Sequence, residues 1–319
     1  MAFSTAIIGL GNIGMMYDIE LRSPRFVYSH VKAITKHHGF RLLGGVDSSK
    51  ELRKIFSEKN RLEAYKKTED LLAREKPEVI VVATPTETHS DVIQKILSLH
   101  RPQVILCEKP LSYSAEESGR IVDLCKKSGV RLFVNYIRRG DPGVNEIKKR
   151  ISLGNISTPC KGVVWYTKGL MHNGSHFLDL LSFWLGPVRT ADVINKGRRI
   201  GACDRDSDVH VRFKKGQVIF LAGREEKISH YSIELISDNG RMSYERSGEI
   251  TWQKVTKHSQ LKAYSILDDK MESIAGEMDR YQYNVYQHLE LLLLGKQHSL
   301  CSGKESLVNQ KILSSLLHD

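Results

Sequence analysis

The stretch Phe3-Ser4-Thr5-Ala6-Ile7-Ile8-Gly9-Leu10-Gly11-Asn12-Ile13-Gly14 decides the fold. Its first six residues form a short, mostly apolar run of the kind that makes a buried strand. Gly9-Leu10-Gly11-Asn12-Ile13-Gly14 then matches G-x-G-x-x-G and is expected to open a helix. Glycines at these places permit a tight turn. They also let backbone N–H groups approach a pyrophosphate at the positive end of a helix. A glycine-rich turn in another α/β fold would read the same in isolation; the strand in front of it favours the dinucleotide reading.

Working outward, the first 135 residues alternate short β-branched runs with amphipathic stretches. Strands are expected at Phe3–Ile8, Arg41–Val46, Val79–Ala83, Val104–Cys107 and Arg131–Val134, with helices such as Asp70–Glu75, Ser90–Leu99 and Ala115–Ser128 between them. That alternation, with nearly continuous apolar strands, implies a parallel sheet buried on both faces. The rhythm changes near Asn135–Gly143, where Gly140-Asp141-Pro142-Gly143 breaks the pattern. The expected division is 1–137 and 138–319. In the second part Lys161–Thr167 reads as a strand and Asn173–Leu185 as a helix stopped by Gly186 and Pro187. From Arg189 to Gln253 strand follows strand, and Asn239-Gly240 marks a hairpin. Helices are expected at about Glu277–Leu294 and Lys304–Leu317. The fold class is therefore α/β: a doubly wound parallel sheet, then an α+β domain with an open, mostly antiparallel sheet.

Polar clusters gather where the parallel strands end. Asp47 closes the second strand, where an acid can hold the ribose hydroxyls and repel a 2′-phosphate, favouring NAD over NADP. It lies further from the glycines than the usual ~20 residues, so roughly Tyr17–Tyr28 reads as an insertion. A helix N-cap is the other role open to Asp47, and Lys50 leaves room for NADP. Thr84-Pro85 with His89 follows the third strand, Glu108-Lys109-Pro110 the fourth and Asn135-Tyr136 the fifth. Open α/β sheets bind their ligands at this edge. Later comes Lys168-Gly169-Leu170-Met171-His172-Asn173-Gly174-Ser175-His176, ahead of Asp179. His172 and His176 are four apart, but Asn173 stands where a zincin helix carries Glu, so no metal site is expected.

The bulk numbers narrow the class. The 319 residues carry 40% hydrophobic and 27% charged side chains, a globular composition long enough for two cores. A net charge of +11 suits an anionic ligand or simply a cationic surface. There is no basic stripe interleaved with aromatics, which argues against nucleic acid. Five scattered cysteines fit reduced thiols. With no basic, apolar leader and no run of roughly 20 apolar residues, a cytoplasmic location with no membrane partner is expected.

Taken together, Gly9–Gly14, Ala83-Thr84-Pro85 with His89, Glu108-Lys109-Pro110 and the His176/Asp179 pair resemble, in order, the glucose–fructose oxidoreductase/inositol dehydrogenase (Gfo/Idh/MocA) family. The resemblance covers nearly the whole chain. It implies a Rossmann domain, an open-sheet domain and a site between them, with Lys109 and His176 as the catalytic pair and a Lys109–Pro110 bond that is often cis. It implies cofactor contacts from Gly9, Gly11, Asn12, Ile13, Gly14, Asp47, Thr84, Pro85, His89 and Glu108. Substrate contacts are expected from Asn135, Tyr136, Lys168, His172, Asn173 and Asp179. One place departs from the pattern: the family usually has Asp four residues before the catalytic His, and here that residue is His172. The stretch Tyr166-Thr167-Lys168-Gly169 followed by His172-Asn173-Gly174-Ser175-His176 also resembles, more weakly, relatives associated with surface-sugar biosynthesis.

The expected chemistry is hydride transfer between nicotinamide and a carbinol or carbonyl of a sugar-like substrate. His176 would act as general base and Lys109 would stabilise charge on the same oxygen. A nucleotide sugar is one such substrate. Two rivals stay open on the sequence: a non-catalytic NAD-binding regulator or scaffold, and an NAD-dependent glycosidase. An open sheet face also predicts a homodimer or homotetramer.

Overall fold

The computed structural model describes residues 2–245 and 248–318. The chain folds as two compact units. The first runs to Gly140 and resumes over Asp279–Gln310; the second is Asp141–Met278 with the C-terminal stretch from Lys311.

In the first unit the apolar runs form strands β1 (Phe3–Ile8), β2 (Phe40–Val46), β3 (Ala64–Tyr65), β4 (Val79–Val82), β5 (Val104–Cys107) and β6 (Arg131–Val134). They lie parallel in the order β6-β5-β4-β1-β2-β3, and Cys301–Ser302 adds an antiparallel edge beside β6. Alternate residues feed opposite cores. Ala6, Ile8, Ile80, Val82, Ile105 and Cys107 pack on one face; Ile7, Val79, Val81, Val104 and Leu106 pack on the other. This is the sheet buried on both sides that the runs imply.

The second face explains the return of the chain. Val285, Tyr286, Leu289 and Leu292, from the helix Tyr281–Leu293, complete that core. Each such side chain contributes ~1.5–3 kcal/mol when fully buried. The sequence pattern shows an amphipathic helix here but not which sheet it covers. Asp279–Gln310 therefore belongs with the first unit, which corrects the single cut expected at residue 137.

The second unit is a sheet of nine strands among the described residues, covered on one face. Its strands are β7 (Cys160–Tyr166), β8 (Val188–Ile200), β9 (Asp204–Phe213), β10 (Gly216–Ala222), β11 (Ser232–Ser237), β12 (Gly240–Glu245), β13 (Glu249–Lys257), β14 (Ser265–Leu267) and β15 (Glu272–Ile274). Their order is β14-β13-β12-β11-β7-β10-β9-β8, with β15 on β13. All pairings are antiparallel except β7 with β10. The inner face packs on helices Pro142–Ser152 and Ser175–Leu185, with Trp184, Phe177, Tyr166 and Tyr244 in the core. On the outer face Trp165 and Ile236 are 46% and 52% exposed.

Candidate functional site

The Gly9–Gly14 turn is closed by sterics. Gly9 has φ +102°, and a Cβ there would lie 2.4 Å from the Ala83 carbonyl oxygen. A Cβ at Gly14 would lie 2.2 Å from the Gly9 carbonyl oxygen. Gly11 is different: a Cβ there would meet nothing within 4 Å. The outer two glycines are needed for packing, and the middle one leaves the turn open on one side.

That side borders a cavity of about 640 Å³ lined by Gly9, Gly11, Asn12, Ile13, Asp47, Ser48, Thr84 and Pro85, among others. Small-molecule and cofactor sites run to roughly 300–1,000 Å³. Asp47 braces the turn and faces the cavity. Its Oδ2 accepts from the Leu10 N–H at 2.8 Å and its Oδ1 from the Ser49 N–H at 2.8 Å. A carboxylate has lone pairs to spare after two such bonds. The helix N-cap role falls to Ser49, which accepts from Leu52 N–H.

The turn does not open an α-helix directly, contrary to expectation. Met15 and Tyr17 donate to Gly11 and Asn12, and the chain then leaves. It returns at His30, whose N–H donates to the Ile13 carbonyl at 3.0 Å, followed by Val31 N–H to Gly14 at 2.9 Å. In an unbroken helix residue 17 would make the first of these bonds. Helix His30–Lys36 thus resumes the broken turn after an excursion of 13 residues (30 − 17). Buried Asp18 fastens the excursion: its carboxylate accepts from Tyr28 N–H, Ser29 N–H and the Ser29 hydroxyl at 2.6–3.0 Å.

The splice carries a polar network into the core. His30 is fully buried. Its Nε2 lies 2.9 Å from Glu108 Oε1 and its Nδ1 3.0 Å from the Tyr286 hydroxyl. Asn135 donates to Glu108 Oε1 at 2.6 Å and to Gln282 Oε1 at 3.2 Å. Asn135 Oδ1 is buried with no hydrogen-bond partner. Burial pushes the Glu108 carboxyl up, but the hydrogen bonds from His30 and Asn135 and the nearby Lys109 ammonium outweigh it and hold it below its usual value. Glu108 stays a carboxylate next to Lys109, whose own N–H reaches Glu108 Oε2 at 3.4 Å. The Lys109–Pro110 peptide is cis.

Several candidates therefore stand elsewhere than expected. Gly9, Gly11, Asn12, Ile13, Asp47, Thr84 and Pro85 line the cavity, whereas Gly14, His89, Glu108 and Asn135 do not. His89 is buried with its ring nitrogens 3.2 Å from the Leu111 carbonyl and 2.9 Å from the Thr84 carbonyl, so it ties two strand-end loops together. Glu108 and Asn135 brace the Lys109 loop. Tyr136 is 4% exposed and packs among apolar side chains of the first core. His30, Gln282 and Tyr286 escaped the sequence reading. The signal for them was polar residues on apolar helix faces: His30 beside Val31 and Ile34, and Gln282 in one row with Tyr286 and Leu289.

In the second unit Lys168 and Gly169 both have positive φ, +69° and +83°. Leu170–Gly174 then forms a π-helical turn before helix Ser175–Leu185, so the helix starts later than the expected Asn173. Such turns are frequent at functional sites. The Asp204 carboxylate accepts from Met171 N–H at 2.8 Å and His172 N–H at 2.9 Å; burial pushes its carboxyl up, and these bonds pull only partly against that. His172 is exposed, Asn173 donates to the Thr167 carbonyl at 2.9 Å, and Lys168 pairs with Glu225 at 3.1 Å. His176 and Asp179 are buried, 8% and 1% exposed, in the first turns of the helix. Among the described residues no group of three or more His, Cys, Asp or Glu side chains could hold a metal ion, and no helix is long and apolar enough to cross a membrane.

Tight turn, open middle glycine, cavity and bracing aspartate together define a dinucleotide-binding α/β unit. Residues 3–136 match the Gfo/Idh/MocA oxidoreductase family, NAD-binding Rossmann fold. The uncharacterized oxidoreductase YrbE of Bacillus subtilis is 31% identical over 155 residues, covering 49% of this chain and 41% of that protein. The inositol 2-dehydrogenase of Corynebacterium glutamicum (strain R) is 27% identical over 228 residues, covering 70% of this chain and 60% of the relative. The matches thus span less than two thirds of either relative. The WlbA dehydrogenase of Bordetella pertussis, solved with NADH and UDP-GlcNAcA, shares the fold at a TM-score of 0.74 and 19% identity, covering 100% of this chain and 97% of that one.

The residues present fit NAD. The open face of Gly11 admits a pyrophosphate to the backbone, and Asp47 faces the same cavity.

Proposed function

We propose that this protein is an NAD(H)-dependent oxidoreductase acting on a carbinol or carbonyl of a sugar-like substrate, such as a polyol or a nucleotide sugar. One observation carries the reading: the loop bearing Lys109 is fastened, through Glu108 and His30, to the dinucleotide turn. The inositol dehydrogenases among its relatives support the substrate class. When bound, the nicotinamide supplies hydride acceptance and donation. Lys109 holds the substrate oxygen and steadies negative charge on it, with the Glu108 carboxylate keeping the loop in place. His176 takes the hydroxyl proton, as an imidazole suits near neutral pH. The pairing of Lys109 with His176 rests on motif order in the sequence. Asp47 favours NAD over NADP by repelling a 2′-phosphate. The outward face of the second sheet, where Trp165 sits beside Leu221 and Ile219 beside Val163, supports self-association into a dimer or tetramer.

A screen of NAD⁺ reduction against polyols, free sugars and nucleotide sugars identifies the substrate. On it, Lys109→Ala and His176→Ala should each lower turnover about 10²–10⁴-fold, with NADH affinity nearly intact. Full activity in both variants would overturn the assignment.

A further inference from the structure

The buried network behind Lys109 is costly to build. It takes five polar side chains, His30, Glu108, Asn135, Gln282 and Tyr286, into a region otherwise filled by aliphatic and aromatic residues. Apolar groups of similar shape would serve stability as well, so such a network specifies position. A carboxylate only accepts, so His30 Nε2 is the donor to Glu108. Nδ1 then faces the Tyr286 hydroxyl at 3.0 Å, and the Gln282 amide nitrogen lies 2.6 Å from Nδ1 and 2.9 Å from Nε2. The Gln282 orientation is fixed in turn by Asn135. The ring is therefore held on both sides.

His30 also has a second attachment. Its backbone N–H donates to Ile13, and its neighbour Val31 donates to Gly14. One residue thus bonds the glycine turn through its main chain and the Lys109 loop through its side chain. The 13-residue excursion puts it there: without the break, residue 17 would occupy that place on the helix (30 − 17 = 13).

We propose that His30 is a positioning residue that gears the Lys109 loop to the dinucleotide turn, fixing Glu108 and through it the aim of Lys109. The proposal builds on Lys109 being catalytic. His30 itself touches no reacting atom; it sets where the lysine stands relative to whatever the turn holds. Small displacements of a catalytic group are expensive in rate, which is what such a brace prevents.

The test uses the full chain saturated with NADH. Amide hydrogen exchange is followed in peptides covering 107–113 and 281–293, and NADH affinity by fluorescence. His30→Leu removes the donor; His30→Gln keeps one near the place of Nε2. The leucine variant should exchange the 107–113 peptide about tenfold faster or more, with NADH affinity within about threefold of the parent, and the glutamine variant should restore slow exchange. On the substrate, His30→Leu should lower kcat about 10- to 100-fold with little change in KM, again restored by glutamine. Unchanged exchange at 107–113, or equal impairment in both variants, overturns the proposal. If His30→Leu does not fold, Glu108→Gln is measured instead; it should loosen the same peptide, and failure to do so also overturns it. The exchange experiment needs only NADH, so its outcome is separate from that of the catalytic reading, which falls if Lys109→Ala keeps full turnover.

Discussion

Two strand-to-helix turns, one in each unit, use the same device to opposite ends. The Gly9–Gly14 turn and the Lys168–Gly174 turn each pass through positive φ, and each is braced by a carboxylate at a strand end, Asp47 just past β2 in one and Asp204 at the start of β9 in the other. In the first, the carboxylate grips the edge of the turn and the middle glycine faces open space. In the second, the carboxylate fills the turn: a Cβ on Gly169 would lie 2.2 Å from Asp204 Oδ2. An open turn keeps room for a ligand. A plugged turn spends that room on holding the residues that follow it, here His172 and the start of the His176 helix.

The largest expected effect separates the two glycines. Gly9→Ala drives a Cβ into backbone at a φ that L-residues resist. NADH affinity should fall more than about 100-fold, ~3 kcal/mol or more, by titration calorimetry. Gly169→Ala meets a side chain that can move, so it should leave NADH affinity unchanged and lower only thermal stability. An equal loss of NADH binding in both variants would erase the distinction between open and plugged turns.

Next comes the plug itself. Asp204→Ala strands the Met171 and His172 N–H groups and should cost roughly 2–3 kcal/mol in denaturant unfolding, with NADH affinity retained. Asp47→Ala should show the reverse emphasis, with its main effect on cofactor choice: the preference for NADH over NADPH should shrink.

Acid should also divide the units. Burial holds His37, His288 and His298, all in the first unit, below the ordinary 6.5. The unfolded chain then takes up protons that the folded chain resists, so the first unit loses stability as pH falls from 6.5. Burial pushes Asp141 and Asp204 of the second unit up, above the ordinary 3.8. Those two favour the folded state as pH falls through their raised values. Hydrogen exchange corrected for intrinsic rate, at pH 7.5 and 5.5, should show 281–293 loosening before 175–185. The opposite order would contradict these signs.

The smallest effect is the most specific. Gly11→Ala meets nothing in the protein and should change unfolding free energy by no more than about 0.5–1 kcal/mol, the scale of ordinary glycine effects. It should still weaken NADH binding, because the methyl enters the cavity.

Much of this was legible in advance because it is local. Strands β1, β4, β5 and β6 follow from apolar runs, the β11–β12 hairpin from Asn239-Gly240, and Asp47 from its place at a strand end. The roles of Lys109 and His176 came only from the resemblance. What escaped is non-local. Tyr17–Tyr28 could be seen as an insertion, but the bond from His30 to Ile13 depends on where the chain returns. Glu108 and Asn135 looked like ligand contacts because strand-end polar residues usually are; their capture by His30 and Gln282 depends on partners far along the chain. His89 likewise turned inward, its ring lying between the Leu111 and Thr84 carbonyls.

The returning segment sets an order on birth as well as on architecture. On the ribosome the first unit cannot close when its last parallel strand emerges, since Tyr286 lies 256 positions beyond His30. At about 5–20 residues per second the nascent imidazole waits roughly 13–51 s for its phenol partner. During that interval the half-built core lacks its covering helix, whereas the second unit, though later in sequence, has every strand of its sheet translated by Ile274.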